Sequence, residues 1–172
     1  NGVIDLEKLE NTIQDNTILV SITAVDGEIG AIQPINDISK LLKKDNDAVM
    51  VVLPSDHHIE GQKDYLDTLS EAIEIANRRR GIVTIGISPT RPETGYGYIE
   101  MGERIPSATQ AYKIARFTEK PNIEVAKDFL LKGTYLWNSG MFVFRADVIL
   151  REIEKYLPKM YKSLMNIYQH LG

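Results

Sequence analysis

The stretch VVLPSDHHI at residues 51–59 runs three apolar residues into a proline, an acid and two histidines. Val51, Val52 and Leu53 read as the end of a buried strand, and Pro54 stops its ladder because proline has no N–H to give. Two readings of the next residues stay open at this point. Ser55-Asp56 can form a solvated Asx-type turn. Alternatively, Asp56 can be a ligand group, because open α/β sheets bind at the carboxyl ends of their strands.

Working outward, the turn-rich KDND at residues 44–47 precedes the strand expected over 48–53. Upstream, residues 5–13 form a short amphipathic pattern and NTILVSIT at 16–23 reads as a buried strand. Pro34 opens a helix expected over 35–44, with Ile35, Ile38, Leu41 and Leu42 on one face. Downstream, Tyr65, Leu66, Leu69, Ala72, Ile73 and Ala76 predict a helix over 62–79 that Gly81 ends. IVTIGI at 82–87 is a strand, and SPTRPETGYG at 88–97 is a loop long enough to suggest binding.

Further strands are expected at 98–101, 112–119 and 141–146. Asn122 caps a helix whose apolar face is Val125, Ala126, Phe129 and Leu130, stopped by Gly133. Two helical segments, 148–156 and 159–170, flank Pro158. Strand alternating with helix predicts one α/β domain over residues 1–172: a Rossmann-like mixed, mostly parallel sheet with helices on both faces. The strand at 16–23 is expected parallel to 48–53, joined by a right-handed crossover.

At 172 residues the chain has the size of one domain, with hydrophobic residues at 43% and charged residues at 26%. With 20 Lys+Arg against 24 Asp+Glu the net charge is -4, so no general basic field draws in nucleic acid or membrane. The absence of cysteine excludes disulfides, thiolate metal sites and cysteine nucleophiles, and fits a cytoplasmic protein. The chain opens on Asn1 without a signal or transit pattern, as a fragment would.

Three polar clusters fall at strand ends. Asp56 is placed to hold a divalent ion such as Mg2+, which takes one or two carboxylates plus phosphate oxygens. His57 and His58, being adjacent, face opposite ways on an extended chain and cannot serve one site together. TEKPN at 118–122 puts Glu119 and Lys120 on opposite faces if still extended; they read as a surface ion pair or as an acceptor for sugar hydroxyls beside a charge for phosphate. In YLWNSGMF at 135–142, Asn138 carries both donors and acceptors, and Gly140 admits close backbone approach. Gly95 and Gly97 are not a dinucleotide fingerprint, since the third glycine position holds Glu100.

The stretches LPSDHHI, GISPTRPETGYGYIE, FTEKPN and YLWNSGMFVF, in that order, resemble the sugar-phosphate nucleotidyltransferase superfamily and, within it, the mannose-1-phosphate guanylyltransferases. The resemblance covers about residues 45–172. It implies transfer of GMP from GTP to mannose 1-phosphate, giving GDP-mannose and pyrophosphate, with Mg2+ as cofactor. It also implies that Asp56 is the catalytic, metal-binding acid and that Gly95, Tyr96 and Gly97 lie against the sugar phosphate. By the same resemblance Glu119 and Asn138 hold sugar hydroxyls and Lys120 meets the phosphate. The implied partners are these small molecules, not nucleic acid or membrane, with homo-oligomerisation left open.

Residues 2–44 depart from that pattern. They lack the G-G-x-G-x-R-x-x-P loop that grips the triphosphate and are similar to a segment of the cysteine desulfurases, with Asp26-Gly27-Glu28 where that family has Asn-Asn-Glu. A composite chain joined near 40–47 is expected, with impaired transfer. The alternative is a non-enzymatic chimeric α/β scaffold that keeps the motifs as relics.

Overall fold

Asp5 starts the first helix: its Oδ1 accepts the Lys8 N–H at 3.0 Å and caps α1 (Leu6–Thr12). The computed structural model describes residues 3–13, 20, 49–54 and 56–169. The chain divides into two compact units, Asn1–Ala48 and Val49–Gly172. Apart from residue 20, the strand expected at 16–23 and the helix expected at 35–44 lie outside the described residues, and with them the crossover to 48–53.

In the second unit β1 (Val49–Val52) leads to α2 (Gln62–Arg79), β2 (Val83–Ile87), and the antiparallel pair β3 (Tyr98–Arg104) and β4 (Tyr112–Thr118). α3 (Ile123–Lys132), β5 (Tyr135–Arg145), α4 (Ala146–Tyr156) and α5 (Pro158–Gln169) follow. α2 keeps the bounds its periodicity predicts, but the left-handed residue that closes it is Arg80, at φ 50, one position before Gly81. α3 is capped as expected: Asn122 Oδ1 accepts the Val125 N–H at 3.0 Å, and Gly133 ends the helix at φ 66.

The pairing corrects the expectation of a mostly parallel sheet. Every ladder in the described residues is antiparallel. β1 and β2 both run against β5 and are therefore parallel to each other, as a strand-helix-strand unit demands. They are not neighbours, because β5 lies between them. Phe142 and Val143 pair with both β1 and β2, so those two strands take opposite edges of β5. Trp137 pairs with both Ile87 and Tyr98, which puts β3 on the edge shared with β1. The sequence shows the local crossover; the strand inserted into it comes from about 50 residues later and leaves no local trace.

β5 supports two cores. Its buried residues alternate as Tyr135, Trp137, Ser139, Met141, Val143 and Arg145. Tyr135 and Trp137 pack with Tyr98 of β3 and with Ala126 and Phe129 of α3, where the rings of Phe129 and Tyr135 stack at 3.9 Å. Val143 packs instead with Leu69, Ala72 and Ala76 of α2. Burying a side chain of Phe or Val size contributes about 1.5–3 kcal/mol. Where β5 ends, buried Arg145 donates to Asp147 Oδ1 at 2.9 Å and to Asn77 Oδ1 at 3.1 Å, which ties α2 to the start of α4. The guanidinium beside Asp147 holds its carboxyl below the usual range.

Candidate functional site

β5 is longer than the strand expected at 141–146, and its extra residues hold a bulge. Between the pairs Thr84↔Phe142 and Gly86↔Asn138, one β2 residue, Ile85, opposes Ser139, Gly140 and Met141. Two extra residues preserve the alternation of faces, so Ser139 and Met141 stay buried on either side of Gly140. Gly140 has φ +75, a left-handed conformation that requires glycine at this point of the bulge. Side chains stitch it: Ser139 Oγ donates to the Ile85 carbonyl at 2.6 Å, and Thr84 Oγ1 lies 2.9 Å from Asn138 Oδ1 and 3.0 Å from the Met141 carbonyl. The Gly140 N–H donates to Asn138 Oδ1 at 3.3 Å.

On the opposite edge of β5, β1 and β3 meet end to end over this bulge. β1 leaves the ladder after Val52, and Pro54 comes to rest against Gly140, where an added Cβ would lie 3.4 Å from Pro54 Cγ. β3 joins the ladder from the other direction: the Gly97 carbonyl accepts the Asn138 N–H at 2.8 Å just before Tyr98 pairs with Trp137. A crevice between two strand ends, floored by Asn138 to Gly140, is the result.

Candidate residues from three separate stretches converge here. Gly97 is buried, and a Cβ on it would stand 2.8 Å from Glu119 Oε2 and 2.8 Å from Phe117 Cζ, so the loop passes close over Glu119 because residue 97 has no side chain. Tyr96 sets its ring edge-on to Trp137 at 5.3 Å. Gly95 donates its N–H to Glu93 Oε1 at 3.0 Å while Arg91 pairs with Glu93 Oε2 at 3.1 Å. The Gly95 amide and then Arg91 lower the Glu93 carboxyl below its usual range. The Tyr98 hydroxyl bridges the Glu93 N–H and carbonyl, each at 2.9 Å, so the 88–97 loop is cross-linked rather than free.

Glu119 and Lys120 do not face opposite ways. Lys120 takes φ 42, which brings its Nζ to 3.5 Å from Glu119 Oε1 as an exposed ion pair. A left-handed residue directly before Pro121 is disfavoured twice, by its own Cβ and by the proline ring. Strain of this kind concentrates at functional sites. Asp56 is exposed two residues beyond Pro54, and His57 and His58 beside it are exposed too.

No three His, Asp or Glu side chains among the described residues converge to hold a metal ion. Asp56, a lone exposed carboxylate, still has the chemistry magnesium takes, since that ion draws its other ligands from water and phosphate oxygens. Two cavities lie elsewhere. One, of about 220 Å3, sits between Glu71, Glu74, Arg78 and Arg79 of α2 and the β3–β4 turn; the other, of about 290 Å3, lies along that turn. Neither contains a candidate residue. The strand-end geometry outweighs cavity size, because the polar groups converge there. Glu93, Arg91 and Thr84 were not among the sequence candidates. The E-T-G spacing that lets Glu93 reach the Gly95 amide was the available signal; for Thr84, whose partner is 54 residues away, there was none.

The nucleotidyl transferase family profile matches residues 5–171. A mannose-1-phosphate guanylyltransferase of Salmonella montevideo is 44% identical over 128 residues, covering 72% of this chain and 26% of the relative. A crystal structure described as mannose-1-phosphate geranyltransferase from Thermus thermophilus superimposes with a TM-score of 0.65 at 33% identity, over 76% of this chain and 37% of that one. One described as mannose-6-phosphate isomerase from Helicobacter pylori gives 0.60 at 33% identity, over 91% of this chain and 57% of that one. The chain spans about a quarter of the length of the curated relatives it matches. The family match includes residues 5–44, for which the cysteine desulfurase resemblance is not shown. No helix among the described residues is long and apolar enough to cross a membrane.

Proposed function

Because the chain belongs to the nucleotidyl transferase family, we propose that it binds mannose 1-phosphate in the β5 crevice as part of the transfer of GMP from GTP to that sugar, releasing pyrophosphate. The observation that carries this is the convergence on one stretch of β5 of the Gly97 backbone, Glu119, Asn138 and the Pro54 end of β1. Glu119 and Asn138 supply oxygen and amide groups for sugar hydroxyls, Lys120 supplies the phosphate charge, and the Gly95 to Gly97 backbone bounds the ligand. Asp56 would be one protein ligand of a magnesium ion that neutralises phosphate charge when bound. We propose a cytoplasmic location, which the lack of cysteine in the sequence fits.

Transfer by these 172 residues alone is impaired, because no G-G-x-G-x-R-x-x-P stretch stands among them. Losing a preorganised donor to developing charge typically costs a factor of about 10²–10³. A second reading is a non-enzymatic composite scaffold. The chain does divide after Ala48, beside the junction expected at 40–47, although the family match runs across that point.

Titration with mannose 1-phosphate separates the two. Saturable binding that Glu119→Ala weakens at least tenfold is expected; no binding to the folded chain would favour the scaffold. Pyrophosphate release from GTP at the rate of an intact enzyme, abolished in Asp56→Ala, would overturn the impairment.

A further inference from the structure

Asn138 is the candidate residue with the most constrained surroundings. The Gly140 N–H can only donate, so the amide atom it faces at 3.3 Å is the oxygen, Oδ1. That oxygen also lies 2.9 Å from the Thr84 hydroxyl. The Thr84 proton has two acceptors within reach, Asn138 Oδ1 and the Met141 carbonyl at 3.0 Å, one on each side of the bulge. The carbonyl end of the amide is therefore occupied by the protein. Nδ2 has no partner among the described residues, and the side chain is only half-buried.

We infer that Thr84 is a positioning residue that, with the Gly140 amide, locks the Asn138 side chain so that its Nδ2 faces the ligand, making Asn138 a hydrogen-bond donor to a substrate oxygen. This rests on the proposed sugar-phosphate reading for the identity of the ligand, but the orientation rests on geometry alone. The bulge explains the need for the lock. Two residues of β5 have no counterpart on β2 at this point, so the ladder holds the Asn138 backbone opposite Gly86 but leaves Ser139 to Met141, directly after it, without regular pairing on that edge. A threonine hydroxyl reaching across from the neighbouring strand restores a fixed reference on both sides of the gap. A donor at 138 also complements Glu119, which can only accept when ionised. A sugar hydroxyl can then give its proton to Glu119 and take one from Asn138.

Thr84→Val keeps the shape and removes the donor, whereas Thr84→Ser keeps the hydroxyl. In the full chain, mannose 1-phosphate is expected to bind Thr84→Val about three- to tenfold more weakly, the worth of one neutral hydrogen bond. Thr84→Ser should stay within about twofold of the unmodified protein. Asn138→Asp, which keeps an acceptor and deletes the donor, should lose at least about tenfold; undiminished binding there overturns the inference. So does unchanged affinity in Thr84→Val at an unchanged melting temperature. A second readout does not need the ligand: the ¹⁵N order parameter of the Asn138 side-chain amide. It should be backbone-like in the unmodified protein and in Thr84→Ser, and fall in Thr84→Val. If mannose 1-phosphate fails to bind the unmodified chain, the sugar-phosphate reading falls, and the amide measurement alone decides: loss of order in Thr84→Val upholds the lock, and unchanged order refutes it.

Discussion

The two halves of β5 are built differently. Around Val143 the strand is paired on both edges, with Val51 on one side and Val83 on the other, and packs aliphatic side chains of α2. Around Trp137 it is packed by aromatic rings, carries the cross-linked 88–97 loop through Tyr96 and Arg91, and runs directly into the bulge. One half closes a core with regular ladders. The other is also paired on both edges at Trp137, but gives up backbone regularity in the bulge that follows it to present polar groups, while the Val143 half anchors the strand. The candidate site sits at the transition, where β3 has stopped pairing and β1 has not yet begun.

The sharpest way to break this division is to damage each core and ask whether the site notices. Phe129→Ala removes the ring stacked on Tyr135 and should cost about 3–5 kcal/mol of stability by chemical denaturation, with sugar-phosphate binding weakened as the aromatic half loosens. Val143→Ala, in a fully buried position, should cost about 2 kcal/mol. Binding at 25 °C should hardly change, because the C-terminal half supports the fold and not the ligand groups. Equal losses of affinity from both substitutions would show that the halves are one cooperative unit.

How much of this was legible in the sequence divides along the same line. α2 and α3 were readable to their bounds because helices are local: the stripe at Leu69, Ala72 and Ala76 and the Asn122 cap need no distant partner. β1 and β2 were readable as apolar runs, but their placement was not, since β5 intervenes. The N-terminal half of β5 was hidden, because Asn-Ser-Gly interrupts the apolar run and reads as a polar cluster at a strand end, although the interruption is a bulge within a strand. The site residues were legible as clusters at strand ends. Their mutual geometry was not, since a positive φ at Lys120 reverses the direction that an extended chain assigns to its side chain.

That reversal gives a prediction of intermediate size. Relieving a left-handed lysine should gain about 1–2 kcal/mol, against about 0.5–1 kcal/mol for the extra freedom of glycine in the unfolded chain. The exposed pair with Glu119 contributes little. Lys120→Gly is therefore expected to melt at or slightly above the temperature of the unmodified protein. Loss of a charged contact should weaken mannose 1-phosphate binding by about ten- to a hundredfold. A clear loss of stability would mean that Lys120 is held for the fold and not for the site.

The smallest effect expected belongs to the loop that the aromatic half carries. Glu93 holds the Gly95 amide and Arg91 together, and these partners lower its carboxyl below the ordinary value of 4.5. A group depressed in the folded state stabilises it above its unfolded value, and that contribution fades as the pH falls through the lower folded value. The clamp should thus be intact at neutral pH and through pH 5, and open only under more acid conditions. The Gly95 amide resonance, followed by NMR, should titrate with a midpoint under 4.5 and lose that titration in Glu93→Gln. The α2 amides of the other core should not follow it. A midpoint at or above 4.5 would mean that the loop does not hold Glu93 in its ionised form, and the 88–97 segment would then be shaped by Tyr98 and Trp137 alone.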